Sequence, residues 1–423
     1  MTTSRLRESQ LAGINQTIRL AADKVHYYRE AFLKSKLPFP LRSLEDLQYA
    51  PFLDKKIIKD HYPFGLHTVK QDQMARIHSS SGSWGLPTVA GYTKNDVAMW
   101  TTLMERCLKV AGVNPGDTVQ IAYGYGLFTG GLGCHSGSEK LGCLTIPASG
   151  GQTRRQVQLI RDLKPRVIMC TPSYLMTIGD ELEEQGINPA STSLRIGILG
   201  AEPWSDEMRS QIEKRFKIDA LDIYGLSEVI GPGVANESIH EKDGSYIWED
   251  HFYPEIIDPV TLKVLPDGET GELVITTIGK EAFPMIRYRT GDLTKLIPSN
   301  NSPFRKIGRI IGRTDDMIIL RGMKVYPLQL EKIICRSTLL SPHYYIYLSK
   351  KHHLDVMTLH VEVTPSDSVE LITLKKETAE KWLKLEVKRT LGITVEVIVR
   401  HPQSLERIQT GKAKRVIDQR KPV

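Results

Sequence analysis

The chain has 423 residues, more than one hydrophobic core of ordinary size holds, so two or more domains are expected. Hydrophobic residues make up 40% and charged residues 25%, an ordinary balance for a soluble globular protein, and no run of about 18 apolar residues suggests a membrane span. The net charge of +7 is spread along the chain, with local density only around Lys412, Lys414, Arg415, Arg420 and Lys421; this points away from nucleic acid and toward small polyanions.

Residues 1–75 read as amphipathic helix, clearest over LAGINQTIRLAADKVHYYREAFL, with Pro38, Pro40 and Pro51 as breaks. The opening MTTSRLRESQ has no apolar signal core. Cys107, Cys134, Cys143, Cys170 and Cys335 are odd in number, scattered and never in a CxxC pair, which fits a reducing cytoplasm rather than a disulfide framework or a cysteine-rich zinc site. Residues 79–88, SSSGSWGLPT, form a Ser/Gly-rich loop suited to phosphate, although no Gly-Lys-Ser/Thr follows as in a Walker loop.

From 118 to 228, strands and helices alternate: TVQIAYGY, CLTIPAS, VIMCTPS, RIGILGAEP and ALDIYG as strands, with RRQVQLIRDLK, YLMTIGDELEEQG and SDEMRSQIEKRFK as helices. Pro165 ends the first of these helices, Gly186 the second, and Ser205 or Asp206 caps the third. Alternation implies parallel crossovers and a sheet covered by helices on both faces. Ligands on such sheets bind at the carboxyl ends of strands, where GAEP (200–203) and YGLSE (224–228) fall. Residues 229–312 turn to short β segments with a turn at Pro266-Asp267-Gly268, read as an antiparallel or distorted-barrel subdomain. After GRTDDM (312–317), mixed α/β resumes with LDVMTLHVEV as a strand and ETAEKWLKLEVKRTLG as a helix. The expected architecture is therefore α/β: a large N-terminal domain, 1–314, with parallel sheets covered by helices plus a β-rich part, and a small mobile α+β domain, 315–423.

The motif order gives groups suited to phosphate, adenine, magnesium and ribose, a hinge, and a basic GKAKR (411–415), a set that fits ATP-driven activation of a carboxylic acid. The serine of G-L-S-E-V lacks the second glycine of a hydrolase elbow. The strings YGYGLFTGGLG (123–133), SGGQT (149–153), GAEPW (200–204), YGLSEV (224–229), WEDHFYPEI (248–256) and GRTDDM resemble the phenylacetate–CoA ligase family of adenylate-forming enzymes, across essentially the whole chain.

The resemblance implies a two-step reaction using ATP, Mg²⁺ and coenzyme A. An aromatic carboxylate attacks the α-phosphate of ATP, releasing pyrophosphate; the thiol of coenzyme A then displaces AMP. It implies that Ser80, Ser81, Gly82 and Ser83 contact phosphates, and that Gly200, Ala201, Glu202, Pro203, Asp222, Ile223, Tyr224 and Gly225 surround adenine. Ser227 would touch phosphate, Glu228 would hold Mg²⁺, Asp292 would accept ribose hydroxyls and Arg313 would reach ribose or phosphate. Asp315 would be the hinge, and Lys412 the adenylation lysine, with Lys414 as the fallback. Tyr123, Tyr125, Gly126, Phe128, Gly133, His135, Ser136, Ile198, Leu199 and Gly200 would line the aryl-acid pocket. Coenzyme A would enter between the domains near Arg321 and Gly322.

The chain departs from the family pattern in three places. Where the family phosphate loop reads SSGTTGKP, Trp84 replaces a threonine and Leu86 the lysine; an enzyme still active is expected. Ser136 stands where a tyrosine is expected after His135, which favours a ring-substituted benzoate such as anthranilate, with phenylacetate next. Ser238, Tyr246, Asn300 and Ser302 stand where some relatives have zinc ligands, so no structural zinc is expected; His240 and His251 remain. The alternatives are an adenylating enzyme that loads a carrier protein, separated by its independence of coenzyme A, and an impaired aryl-acid-binding protein. The same resemblance allows a homodimer.

Overall fold

A computed structural model describes residues 2–80, 87–352, 354–366, 368–407 and 414–420. Ser81, Gly82, Ser83, Trp84, Leu86 and Lys412 lie outside them.

The N-terminal amphipathic stretch is two helices, α1 (Thr3–Lys24) and α2 (His26–Ser35), broken at Val25, whose backbone is extended. The short α3 (Lys55–Asp60) follows, capped by Asp54. A hairpin of β1 (Arg76–Ser79) and β2 (Val89–Tyr92) flanks the Ser/Gly loop. Helix α4 (Lys94–Val110) starts in a reciprocal cap: Thr93 Oγ1 accepts from Asp96 N at 3.1 Å, and Asp96 Oδ2 from Thr93 N at 2.9 Å.

The expected alternation then appears: β3 (Thr118–Ile121), α5 (Thr129–Leu141), β4 (Leu144–Ile146), α6 (Thr153–Leu163), β5 (Val167–Cys170), α7 (Pro172–Glu184), β6 (Ile196–Gly200), α8 (Asp206–Phe216) and β7 (Asp219–Leu226). Of the two cap candidates for α8 the structure selects Ser205, whose Oγ accepts from Met208 N at 3.1 Å. The strands pair in parallel in the order β4-β3-β5-β6-β7. Period-two alternation splits their side chains between two cores. Val167, Met169, Ile196 and Ile198 face the core shared with α4 and the N-terminal helices. Ile168, Cys170 and Leu199 face the core that includes Val157 of α6, Leu175 of α7 and Ile212 of α8.

Residues 229–312 are antiparallel, as expected, but they divide between two sheets instead of forming one barrel. Strands β8 (Gly231–Ser238) and β9 (Glu241–Ile247) extend the large sheet from β7. Strands β10 (Phe252–Ile257), β11 (Gly271–Thr277) and β12 (Tyr288–Thr294) begin a second sheet. The short β13 (Leu296–Ile297) and β14 (Lys306–Ile307) return to the large sheet beside β9, while β15 (Gly312–Arg313) joins β12.

A separate core begins at Ile318. It is built from the hairpin β16 (Ile318–Leu320) and β17 (Met323–Val325), helix α9 (Pro327–Arg336), strands β18 (Leu340–Lys351) and β19 (Leu354–Val363), helix α10 (Val369–Leu391), and strands β20 (Glu396–Arg400) and β21 (Val416–Asp418). Its main sheet runs β20-β19-β18-β21. No described helix is long and apolar enough to cross a membrane.

Candidate active site

The carboxyl ends of β6 and β7 carry the two motifs expected there. Gly200 ends β6, where a Cβ would stand 2.1 Å from the Ile223 carbonyl oxygen of β7, so only glycine permits this strand spacing. Ala201 then takes a left-handed backbone (φ +70°). The Glu202 carboxylate accepts from Ser173 N at 2.9 Å and from Ser173 Oγ, tying the GAEP turn to the start of α7. The guanidinium groups of Arg209 and Arg309 lie over the Trp204 ring at 5.2 and 5.1 Å, and the indole N–H donates to Asp222 at 3.1 Å. Burial pushes the Asp222 carboxyl up, against the opposing pull of Arg309, the Trp204 bond and Arg209.

Tyr224, on β7, donates its hydroxyl to Asp292 Oδ2 at 2.6 Å, and Arg313 Nη1 takes Asp292 Oδ1. Strand pairing produces this meeting, because Asp292 of β12 stands opposite Arg313 of β15. Burial first, then the Asp292 charge, holds the Tyr224 phenol protonated far above its usual range. Gly291 keeps a positive φ of +79°, and a Cβ there would come within 3.1 Å of Arg313 Nη2. Arg313 Nε reaches Asp315 Oδ1 at 2.9 Å, and Asp315 Oδ2 takes Lys55 Nζ of α3 at 3.0 Å. Asp315, expected as the hinge, is thus paired with Arg313 and with Lys55 of α3.

Ser227 and Glu228 follow β7. Ser227 Oγ is 3.3 Å from Thr129 Oγ1 at the start of α5, and Glu228 is only 7% exposed. Behind them is a residue the sequence reading passed over. Lys280 is fully buried, donates to the Val229 carbonyl at 2.7 Å, and lies 4.4 Å from the Tyr92 ring centroid. Asp96 fixes the neighbouring backbone by accepting from Glu281 N at 2.7 Å and Ala282 N at 2.9 Å. A lone lysine in the apolar stretch VITTIGKEAFPMI was the available signal. Tyr288 Oη is also fully buried here and makes no hydrogen bond among the described residues.

Of the phosphate-loop residues, Ser80 is described. Its N–H donates to Thr88 O at 3.1 Å and its Oγ accepts from Thr88 N at 3.3 Å, closing the base of the loop.

The aryl-pocket residues divide. Tyr123 is buried with its hydroxyl unpartnered among the described residues. Tyr125 Oη is 3.3 Å from His135 Nδ1, and His135 Nε2 is 3.0 Å from Glu139. Phe128 is half exposed, Gly126 has φ +89° with open space about it, and Ile198 and Leu199 are buried in the sheet. Gly133 turns its bare side to Trp100, where a Cβ would meet the ring at 2.3 Å, so its smallness serves the packing of α4 on α5. Ser136 Oγ donates to Leu132 O at 3.1 Å, one turn back in its own helix. That bond uses the hydroxyl hydrogen and leaves the oxygen's lone pairs able to accept.

In the region of the absent zinc ligands, Tyr246 Oη donates to Glu241 at 2.6 Å, and Lys306 pairs with Glu241 at 2.6 Å and Asp243 at 2.7 Å. No group of three or more His, Cys, Asp or Glu among the described residues is arranged to hold a metal ion.

Residues 10–280 match the family model for AMP-binding enzymes, and 322–420 match the AMP-binding enzyme C-terminal domain. The chain is 51% identical over 416 residues to phenylacetate–coenzyme A ligase of Aromatoleum evansii, covering 98% of this chain and 94% of that protein. It is 47% identical over 421 residues to the Escherichia coli K12 protein of the same name, covering 99% and 96%. Among solved structures, 2-hydroxyisobutyryl-CoA ligase in its postadenylation state aligns over 99% of this chain and 91% of that one, at 26% identity and a TM-score of 0.92. The same ligase in its thioesterification state, with an acyl-AMP and CoA, aligns over the same shares at 27% identity and a TM-score of 0.73.

Proposed function

The chain belongs to the phenylacetate–coenzyme A ligase family of AMP-binding enzymes, and we propose that it adenylates phenylacetate with ATP and passes the acyl group to coenzyme A. It is an AMP-forming acid–thiol ligase. The observation that carries the substrate-binding part of this reading is the Asp292 cluster. One carboxylate, held by Tyr224 and Arg313, sits beside the carboxyl end of β7 and keeps lone pairs for two ribose hydroxyls. The Tyr224 ring offers adenine an aromatic face one residue beyond the Gly200–Ile223 pairing.

The donor chemistry fits a magnesium ion carried by the triphosphate. Such an ion keeps most of its oxygen ligands from phosphate and water and takes one or two from protein. Glu228, with Ser227 and Thr129 nearby, supplies oxygens of that kind, and no all-protein cage is present among the described residues. Bound there, the ion would neutralise phosphate charge.

In the first step a carboxylate oxygen of the acid forms a bond to the α-phosphorus, and the bond to pyrophosphate breaks. Ser80 and its loop orient the outer phosphates, and Lys412 balances charge on the attacked phosphate. In the second step the thiol sulfur bonds the carbonyl carbon, its proton passes to solvent, and AMP leaves. Coenzyme A enters near Arg321 and Gly322. Division of the chain at Asp315 into 1–314 and 315–423 lets Lys412 withdraw between the steps. A cytoplasmic homodimer accords with the same family.

Phenylacetate stands first because the relatives bear that name. Ring-substituted benzoates such as anthranilate are the second reading, favoured by the polar Tyr125–His135 pair. The test is acid-dependent AMP release with ATP, Mg²⁺ and coenzyme A across phenylacetate, benzoate, anthranilate, salicylate and hydroxybenzoates. The expected result is AMP and phenylacetyl-CoA in equal amounts. Acyl-AMP formation without coenzyme A consumption would indicate a carrier protein as acceptor; binding without AMP would indicate a binding protein.

A further inference from the structure

We propose that Asp180 and Arg407 form an interdomain joint that positions the Lys412 segment for adenylation and parts for thioester formation; the proposal rests on the ligase reading above. Asp180 lies on α7 of the large domain. Its Oδ1 accepts from Arg215 Nη2 of α8 at 2.9 Å, and its Oδ2 from Arg407 Nε of the C-terminal part at 2.9 Å. His343 Nε2, on β18, is 3.1 Å from the same Oδ2. Burial opposes ionisation of Asp180, but contact with His343 and the charges of His343, Arg215 and Arg407 outweigh it and hold the carboxyl well below the usual carboxylate range.

Arg407 uses its remaining nitrogens on the other domain. Nη1 and Nη2 each donate to Glu362 of β19 at 2.9 Å, and Glu362 is fully buried. One planar guanidinium therefore bridges a carboxylate from each domain, a geometry that suits arginine. Lys412 follows five residues later. The far side of that segment is held as well. Arg415 lies over the Tyr344 ring at 4.4 Å, and its carbonyl accepts from Ile346 N at 2.8 Å. Glu331 of α9 accepts from Ser205 N at 2.9 Å, directly after the GAEPW motif. The described chain is thus held on either side of residues 408–413, by Asp180 and Glu362 at Arg407 and by β18 at Arg415, while Glu331 ties α9 to the turn after GAEPW.

A contact between domains shifts an arrangement only by the difference it makes between two states. The domains here follow the postadenylation form of the solved relative, at a TM-score of 0.92, far more closely than its thioesterification form, at 0.73. The Asp180–Arg407 contact belongs to the first arrangement. Separating the domains would leave Asp180 with Arg215, and Arg407 with Glu362, so each half keeps a partner and the joint can open without stranding a buried charge. His343 and Asp180 are far apart in sequence, which is why no local motif shows this site.

The two half-reactions are separable, and that makes the test. Acid-dependent ATP–pyrophosphate exchange reports adenylation; conversion of supplied phenylacetyl-adenylate with coenzyme A reports thioester formation. Arg407→Gln leaves the Asp180–Arg215 pair intact and should lower exchange by about tenfold or more, within the usual range of coupling energies, while the second half-reaction stays within about twofold. Asp180→Asn should show the same split, and Arg407→Lys should recover part of the exchange. Thermal melting confirms that each variant is folded. Equal loss in both half-reactions, or no loss in exchange, would overturn the joint. A wild-type protein silent in both would instead sink the ligase reading, and this inference with it.

Discussion

Replacing Lys280 with Met tests whether a buried charge is kept behind Glu228 at a cost in stability. Burial lowers the Lys280 ammonium from the ordinary 10.5 to about 8, although Asp96 and Glu228 pull it upward. At about 1.4 kcal/mol per pH unit, keeping it charged at pH 7 costs the fold roughly 3 kcal/mol. The folded pKa lies below the unfolded one, so the unfolded chain binds more protons between pH 8 and 10.5. The cost is therefore full below pH 8 and is relieved as pH rises to 10.5. Met has similar volume and removes the charge, but it leaves the Val229 carbonyl unpaired, at about 1–3 kcal/mol. The variant should be as stable as the wild type at pH 7 or more so, by up to about 2 kcal/mol, and less stable at pH 10.5. Urea unfolding at pH 7, 8.5, 9.5 and 10.5 measures the crossing. ATP–pyrophosphate exchange should fall about tenfold at pH 7, since the cation faces Glu228 and fixes the backbone beside it. Stability curves that run parallel across this range would refute a lowered Lys280 pKa and with it the cost of burying the charge.

Asp292→Asn should lower exchange by roughly a hundredfold, the scale of one charge-assisted hydrogen bond, with a raised KM for ATP; an unchanged KM would remove Asp292 from the nucleotide site. His67 Nε2 accepts from Gly91 N at 3.0 Å, and burial together with the Lys280 charge lowers its pKa from 6.5 to about 4. Its contribution is present above pH 6.5 and lost as pH falls toward 4, up to roughly 3 kcal/mol, so His67→Gln should lose less stability than the wild type over that interval in urea titrations. Leu86→Lys, which restores the family's loop cation, should change exchange by less than about threefold, because other cations serve the phosphates; a gain of tenfold or more would show an impaired loop.

The parallel half of the sheet was legible because its signals are local. Val167 to Cys170 and Ile196 to Gly200 are continuous buried runs between helices with readable ends, such as Ser205 and Pro165. The break at Val25 carried no glycine or proline, and the amphipathic pattern runs through it, so one helix and two could not be told apart. The division of residues 229–312 between two sheets depends on pairings such as Lys306 with Tyr246, which alternation within a strand does not encode. Among site residues, the motifs located Tyr224, Asp292 and Arg313, and the fold brings them together. For Ser136, residue type alone did not reveal that its hydroxyl hydrogen would be donated one turn back in its own helix.

What the motifs passed over shares one physical character. Lys280, the Trp204 stack and the Asp180 joint are charges held away from bulk water by partners distant in sequence. A buried charge without a designed partner would be neutralised or lost, so each persists where its field or geometry acts on something specific. Lys280 donates to the Val229 carbonyl beside Glu228, two guanidiniums lie over the Trp204 ring at the end of the GAEP turn, and Arg407 joins Asp180 to Glu362. The residues expected to touch substrate fall in short contiguous strings of the sequence. Those that hold them in place come from elements far apart in the chain, 227 positions in the case of Asp180 and Arg407. Under the proposed movement of the C-terminal part between two positions, its contacts must be strong in one position and dispensable in the other. A guanidinium shared between two carboxylates, one on each side of the divide, meets that requirement where an apolar interface would not, because each half stays hydrogen-bonded after the domains part.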